Sequence, residues 1–117
     1  MERDEASVEF LDRAVRVFKS AKNCYSRKMY DRAAINLREA AVFGMKSLLE
    51  KRDRNQPAGD KELLDEFMKT VNESGDFGPE LIECLQAIMR SSDSASAVKR
   101  SVTDTEAVLF RIRELIY

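Results

Sequence analysis

The side chains that most often perform catalysis in proteins are sparse in this chain of 117 residues. It contains two cysteines, Cys24 and Cys84, and no histidine. Without histidine the chain lacks the usual general base near neutral pH, the usual partner of a serine or cysteine nucleophile, and a common zinc and iron ligand. The cysteines are far apart and neither belongs to a Cys-x-x-Cys motif. We therefore expect two ordinary, partly buried thiols, with no metal site and no cofactor.

Carboxylates are abundant, and two groups of them could be considered as metal ligands. Asp65 and Glu66 are adjacent, and Glu80 and Glu83 are three residues apart. A di-iron helical bundle requires Glu-x-x-His pairs on facing helices, and this chain has no histidine to supply them. The carboxylates therefore do not predict an enzyme.

The basic residues are concentrated in one part of the chain. Residues 13–54 contain 12 Lys and Arg against 4 Asp and Glu, whereas residues 55–98 contain 3 against 9. Because Arg offers phosphate a planar fork and Lys a point charge, Arg32, Arg38 and Lys46 are candidate contacts for a nucleotide, RNA or an acidic protein partner. The alternative is a basic helix whose charges are solvated and compensated by acidic neighbours in the same bundle.

Five helical segments are expected to position these side chains, and no strand is predicted. Apolar residues recur at the three- and four-residue spacing of amphipathic helices, and short polar stretches separate them. We predict a first helix over residues 6–26 and a second from Tyr30 to the charged run 50–54. A third helix is expected to have Asp60 as its N-cap, and a fourth to begin at Pro79. A short helical turn over 95–100 and a last helix with a Thr103–Glu106 capping box complete the prediction. The short connections favour one all-α domain over residues 1–117, an antiparallel up-and-down bundle of four to five helices.

The second predicted helix has too many apolar residues for a single buried face. Most of them share one arc, but Ile35, Val42 and Leu49 form a second line seven residues apart, and Phe43 lies among charged side chains. We predict that these four residues contact a second copy of the chain, since twofold dimers are the commonest closed assembly. The alternative is a central helix whose second face contacts its own bundle.

The first two predicted helices resemble the central hairpin of HEPN domains. The resemblance is carried by Ala21–Tyr25, Met29–Ala34, Arg38–Ala40 and Lys46–Leu49. In that family the first helix of the hairpin ends near a tyrosine or glycine. The second helix starts with a y-x-x-A pattern and continues with A-x-E-x-x-x-K-A-L-L, and the segments above are similar to these patterns. The length and helix order also agree, over roughly residues 6–117. The resemblance implies a compact helical bundle that dimerises. It also implies either a ribonuclease with an Arg-x4–6-His motif or a non-catalytic binder of nucleotides, RNA or a nucleotidyltransferase in a toxin–antitoxin pair.

The chain departs from the catalytic pattern of that family at three places. Arg90 lies near the position of the catalytic arginine, but the following run Ser91–Ser96 contains no histidine. Val42 stands where the family has a glutamate, and Lys61–Leu63 stands where it has His-Asp-Leu. We therefore expect a non-catalytic member and not an enzyme, with Arg90 as a further candidate contact for a nucleotide or partner.

A tetratricopeptide-like hairpin acting as an adaptor between proteins is a second interpretation. Phe18, Ala21, Tyr25, Ala34 and Ala41 fit part of that repeat's spacing. A single repeat, however, cannot bury its own core.

A cytoplasmic location is expected from the hydropathy of the chain. No apolar run approaches the ~20 residues of a membrane span. The first residues, MERDEAS, lack the apolar stretch of a signal peptide.

Overall fold

A computed structural model describes the backbone of residues 2–117 and the side chains of residues 5–117. The described residues form five α-helices and no strand. The helices are α1 (Glu2–Ser26), α2 (Tyr30–Lys51), α3 (Asp60–Ser74), α4 (Pro79–Met89) and α5 (Ala95–Ile116). The bundle measures 40 × 26 × 25 Å. The predicted all-α bundle is therefore confirmed.

The directions of α1, α2 and α5 follow from which residues share a hydrophobic cluster. Near the α1–α2 turn, Ala21 and Ala33 pack in one cluster with Val98 from the beginning of α5. At the other end, Leu11 and Leu48 pack in a second cluster with Ile116 from the end of α5. Helix α5 therefore runs antiparallel to α1 and parallel to α2.

Helix α2 lies at the centre of the bundle and contacts the other four helices. At 100° per residue, its buried positions cover more than half of the helix circumference. They are Ala33, Ala34, Leu37, Ala40, Ala41, Gly44, Met45, Ser47, Leu48 and Leu49. This burial corrects the prediction for Leu49, which is fully buried in the chain's own core and is not available to a second copy. The reason is that α2 has neighbours on both of its apolar sides.

Small residues allow α2 to approach its neighbours closely. Ser7 and Ser47 are fully buried, and each hydroxyl donates a 2.7 Å hydrogen bond to the other residue's backbone carbonyl. On the side facing α5, a Cβ added to Gly44 would lie 2.8 Å from Leu109 Cδ2 and 3.2 Å from Ile112 Cδ1. Glycine therefore allows this close contact between two helices, because any side chain here would force the methyl groups of Leu109 and Ile112 to move.

Helix α5 corrects two of the predicted boundaries, because it is one continuous helix from residue 95. Its N-cap is Ser94, whose hydroxyl accepts a 3.2 Å hydrogen bond from the backbone N–H of Ala97. The residues of the predicted capping box, Thr103–Glu106, lie inside the helix. The buried stripe of α5 continues through this region because Ser101 and Thr105 are buried among its apolar residues.

Helix α3 corrects the prediction that Asp60 is its N-cap. The cap position is Gly59, with no capping side chain, and Asp60 is the first helical residue. A carboxylate in the first turn still interacts favourably with the helix dipole.

The connection between α3 and α4 is held by a set of ionic and backbone interactions centred on Asp76. Its carboxylate accepts hydrogen bonds from Arg52 at the C-cap of α2 and from Ser74. Its carbonyl accepts two from the Arg111 guanidinium on α5, at 2.9 and 2.8 Å. The next residue, Phe77, is buried and meets Phe67 edge to face with ring centroids 5.2 Å apart. The loop is thus fixed to both α2 and α5.

Candidate functional site

A groove lies beside the turn that joins α1 to α2, and we call it the α1–α2 groove. It has a volume of about 490 Å³. Its lining residues are Ser20, Asn23, Cys24, Arg27, Met29, Arg32, Ile35 and Asn36. They come together because the three-residue turn brings the end of α1 against the beginning of α2.

The α1–α2 groove combines positive charge with neutral hydrogen-bonding groups. Arg27 and Arg32 are both exposed, and none of the described lining residues is a carboxylate. The amides of Asn23 and Asn36 supply donors and acceptors, and Asn36 Nδ2 lies 3.9 Å from the sulfur of Cys24. Two guanidinium groups without a competing carboxylate form a suitable environment for phosphate oxygens.

The four predicted contacts for a nucleotide or partner do not form one site. Arg32 lines the α1–α2 groove. Arg38 is half-buried, and its Nη1 donates a 3.2 Å hydrogen bond to the carbonyl of Ser91, linking α2 to the α4–α5 connection. Arg90 is exposed at the C-cap of α4. The Lys46 ammonium lies 5.7 Å from the centre of the Phe43 ring.

The serine-rich connection between α4 and α5 contributes structural hydrogen bonds. Ser101 donates a 3.0 Å hydrogen bond to the hydroxyl of Ser91, and the hydroxyls of Ser92 and Ser94 are 3.3 Å apart. No group of three or more cysteine, aspartate or glutamate side chains able to hold a metal ion occurs in the described part of the chain.

The residues predicted to form a dimer interface are divided between the core and the surface. Phe43 is half-buried and stacks on Phe10 of α1, with ring centroids 6.4 Å apart. Arg13 and Lys46 both lie within about 6 Å of the Phe43 ring, so cation–π contacts explain its charged surroundings. Val42 is half-buried against the core, whereas Ile35 is 54% exposed.

Both cysteines are free and partly buried, as predicted. Burial raises the pKa of the Cys84 thiol, and a hydrogen bond to Asp104 and the nearby carboxylates raise it further. A thiol with a raised pKa is a weak nucleophile at neutral pH.

Sequence reasoning missed a second and larger groove, between α1 and α5, which we call the α1–α5 groove. Its volume is about 890 Å³. Its lining residues are Leu11, Asp12, Val15, Arg16, Lys19, Phe110, Arg113, Glu114 and Tyr117. Phe110 is 63% exposed and Tyr117 is 72% exposed. The sequence feature that could have indicated this groove is Phe110, which lies outside the buried stripe of Val108, Leu109 and Ile112.

Comparison with known proteins identifies the class that this bundle defines. The HEPN domain model matches residues 7–116. The chain therefore belongs to the HEPN domain family, as the sequence predicted.

One solved structure supports the same fold. A HEPN domain protein from Thermotoga maritima superposes with a TM-score of 0.76 at 14% sequence identity, over 92% of this chain and 96% of that one. No curated protein matches. The tetratricopeptide-like interpretation is not supported, because α5 covers the α1–α2 hairpin within a closed HEPN bundle. A search of the helices in the described residues finds none that is both long and apolar enough to cross a membrane.

Proposed function

We propose that this chain is a non-catalytic HEPN domain that binds a phosphate-bearing ligand, a nucleotide or a short RNA segment, in the α1–α2 groove. The observation that carries the proposal is the charge of the groove. Arg27 and Arg32 provide two exposed guanidinium groups, and the described lining residues include no carboxylate. Paired guanidinium groups bind phosphate through charge-assisted hydrogen bonds.

The neutral residues of the groove suit the remainder of such a ligand. Met29 and Ile35 offer apolar surface to a base or sugar, and Ile35 is the more exposed of the two. The amides of Asn23 and Asn36 can donate to and accept from base edges. The groove therefore has both an anchor for phosphate and groups that can select a base.

The absence of histidine supports a binding role without catalysis. In the run after Arg90, the hydroxyls of Ser92 and Ser94 contact each other, and that of Ser91 accepts a hydrogen bond from Ser101 of α5. Serine hydroxyls are poor general bases near neutral pH without a neighbouring base. RNA incubated with the purified protein in EDTA should stay intact, and its cleavage at a rate proportional to protein concentration would contradict the non-catalytic assignment.

Titration calorimetry with ATP and with a 12-nucleotide uridine RNA tests the binding site. Arg27→Gln and Arg32→Gln should each weaken binding about 10- to 100-fold, because a charge-assisted hydrogen bond contributes roughly 1.5–3 kcal/mol. Lys61→Gln, which removes an exposed cation on α3, is the matched control and should bind like the wild type. The proposal fails if neither probe binds, or if the two arginine variants bind as well as the control.

We also propose that the chain forms a homodimer through the face of α2 that carries Glu39, Phe43 and Lys46. Around a twofold axis between positions 42 and 43, antiparallel α2 helices would place Glu39 of each copy opposite Lys46 of the other. Glu39 is exposed and Lys46 is half-buried. Opposite charges that pair in this way favour one register of association.

A charge exchange measured by sedimentation velocity tests the dimer. Glu39→Lys and Lys46→Glu should each shift the population towards monomer, and the double variant should restore the dimer. A monomeric wild type at ~100 µM, or a double variant that is no better than the single ones, would contradict this interface. The nucleotidyltransferase partner implied by the resemblance is a separate proposal, tested by coexpression and size-exclusion chromatography.

A further inference from the structure

We infer that the α1–α5 groove binds an acidic amphipathic helix from a partner protein. The inference does not depend on the proposed nucleotide site, because the α1–α5 and α1–α2 grooves share no lining residue. It is carried by the shape, the apolar surface and the charge of the groove.

The groove has the length and direction that a partner helix requires. On α1 the lining residues extend from Leu11 to Lys19, and on α5 from Phe110 to Tyr117. Each stretch is therefore about 10–12 Å long at 1.5 Å rise per residue, or two helical turns. Because α1 and α5 are antiparallel, their side chains form a channel in which a third helix can lie.

Apolar side chains form the floor and one wall of this channel. Leu11 is buried and Val15 half-buried at the floor. Phe110 of α5 and Tyr117 at the C-cap of α5 are exposed, and among residues with described side chains the one other exposed large hydrophobic residue is Ile35. Two exposed aromatic rings beside one groove are typical of the anchor positions in protein interfaces.

The charge around the apolar surface favours an acidic partner. Arg16, Lys19 and Arg113 line the groove together with the carboxylates of Asp12 and Glu114. Glu114 forms an ion pair with Arg111, which lies outside the groove, at 3.4 Å. The lining is therefore net positive, and its complement is a helix with apolar residues on one face and Asp or Glu beside them.

The charges of the groove disfavour two other occupants, an RNA strand and a second copy of the chain. An RNA strand carries a phosphate at every nucleotide, so some phosphates would meet Asp12 and Glu114. A second copy of the chain would set this same face against itself, as twofold interfaces do, so that one net positive lining would meet another.

Fluorescence polarisation with two synthetic 18-residue helical peptides tests the inference. Both peptides have Leu and Phe on one face, and these are flanked by Glu in the first and by Lys in the second. The Glu peptide should bind the wild-type chain at least about tenfold more tightly than the Lys peptide, and added salt should weaken its binding.

Substitutions in the groove test whether the Glu peptide binds there. Phe110→Ser and Arg113→Glu should each weaken binding of the Glu peptide by about tenfold or more, as for interface anchors. Phe110→Leu keeps an apolar anchor and should bind within about threefold of the wild type. Arg100→Glu reverses an exposed charge on α5 that does not line the groove, and should leave binding unchanged. Circular dichroism checks that each variant is folded.

Four results would overturn the inference. They are equal binding of the Glu and Lys peptides, unchanged binding by Phe110→Ser and Arg113→Glu, displacement of the Glu peptide by uridine RNA, and a lower sedimentation mass for Phe110→Ser. The third result would assign the groove to nucleic acid and the fourth to a second copy of the chain. None of these four results depends on whether Arg27→Gln or Arg32→Gln weakens nucleotide binding. The peptide proposal and the nucleotide proposal can therefore fail independently.

Discussion

Replacing Asp76 by Asn should destabilise the bundle in a way that depends on pH. Burial raises the pKa of the Asp76 carboxyl, but hydrogen bonds from Arg52 and Ser74 and the charge of Arg52 outweigh it, so the pKa is lowered overall. The folded chain therefore binds this proton less tightly than the unfolded chain does. The resulting stabilisation is complete above the ordinary pKa of 3.8 and is lost as the pH falls through the lower value of the folded state.

The loss of unfolding free energy can be derived from the exposure of the Asp76–Arg52 ion pair. A hydrogen bond to a charged group contributes roughly 1.5–3 kcal/mol, whereas an exposed ion pair contributes about 0.2–1 kcal/mol. The side chains of Asp76 and Arg52 are 29% and 22% exposed, which places them between these cases. We expect Asp76→Asn to lower the free energy of unfolding by about 1–2 kcal/mol at pH 7, or Tm by roughly 5 °C.

Urea unfolding of the wild type and Asp76→Asn from pH 7 to pH 3 measures this effect. The difference in free energy should be constant above about pH 5 and should shrink below pH 4. Glu73→Gln is the control, because Glu73 pairs with Arg54 near the same loop but is 49% exposed, and it should cost at most about 0.5 kcal/mol. A difference for Asp76→Asn that stays constant down to pH 3 would refute the reasoning, since the amide would then act through loop geometry and not through charge.

Three further predictions concern buried and partly buried side chains. Ser7→Ala and Ser47→Ala should each lower the free energy of unfolding by about 1 kcal/mol, because each removes a 2.7 Å hydrogen bond to a buried carbonyl. Because the two hydroxyls also lie 3.4 Å apart, the two effects should be coupled, and strictly additive effects in urea unfolding would contradict this. Thr105→Val should instead stabilise the chain by about 0.5–1 kcal/mol in the same assay, since the Thr105 hydroxyl is buried without a hydrogen-bond partner among the described residues. Asp104→Asn should increase the alkylation rate of Cys84 by iodoacetamide at pH 8 about two- to threefold, because it removes a carboxylate that raises the thiol pKa. An unchanged rate by mass spectrometry would assign that shift to burial and to the charges of Glu80 and Glu83.

Periodicity predicted the helical hairpin well because apolar spacing decides its structure. The end of α1 at Ser26 and the start of α2 at Tyr30 agree with the prediction. Helix α5 was divided in two because both Ser94 and the Thr103–Glu106 segment have capping chemistry. The buried Ser101 and Thr105 continue the packed stripe there, but as polar residues they do not add to a hydrophobic pattern.

The candidate site was only partly predictable, because charge in a sequence does not specify the partner of a side chain. Arg32 lines a groove as a phosphate contact should, but Arg38 bonds to a carbonyl 53 positions away. Phe43 was assigned to a second copy, and its contact with Phe10 across the hairpin could not be read from α2 alone. The α1–α5 groove depends on two helices separated by most of the chain, a relation that local spacing does not contain.

The two hydrogen bonds from Arg111 to the Asp76 carbonyl have a consequence for biosynthesis. The α1–α2 hairpin can form as soon as it leaves the ribosome, since its contacts are close in sequence. The α3–α4 loop, however, gains these two bonds only when α5 has emerged, and until then Met45 and Leu48 lack part of their cover. Until α5 has been translated, the nascent chain therefore exposes one side of α2, where a chaperone that recognises apolar helical surface can bind.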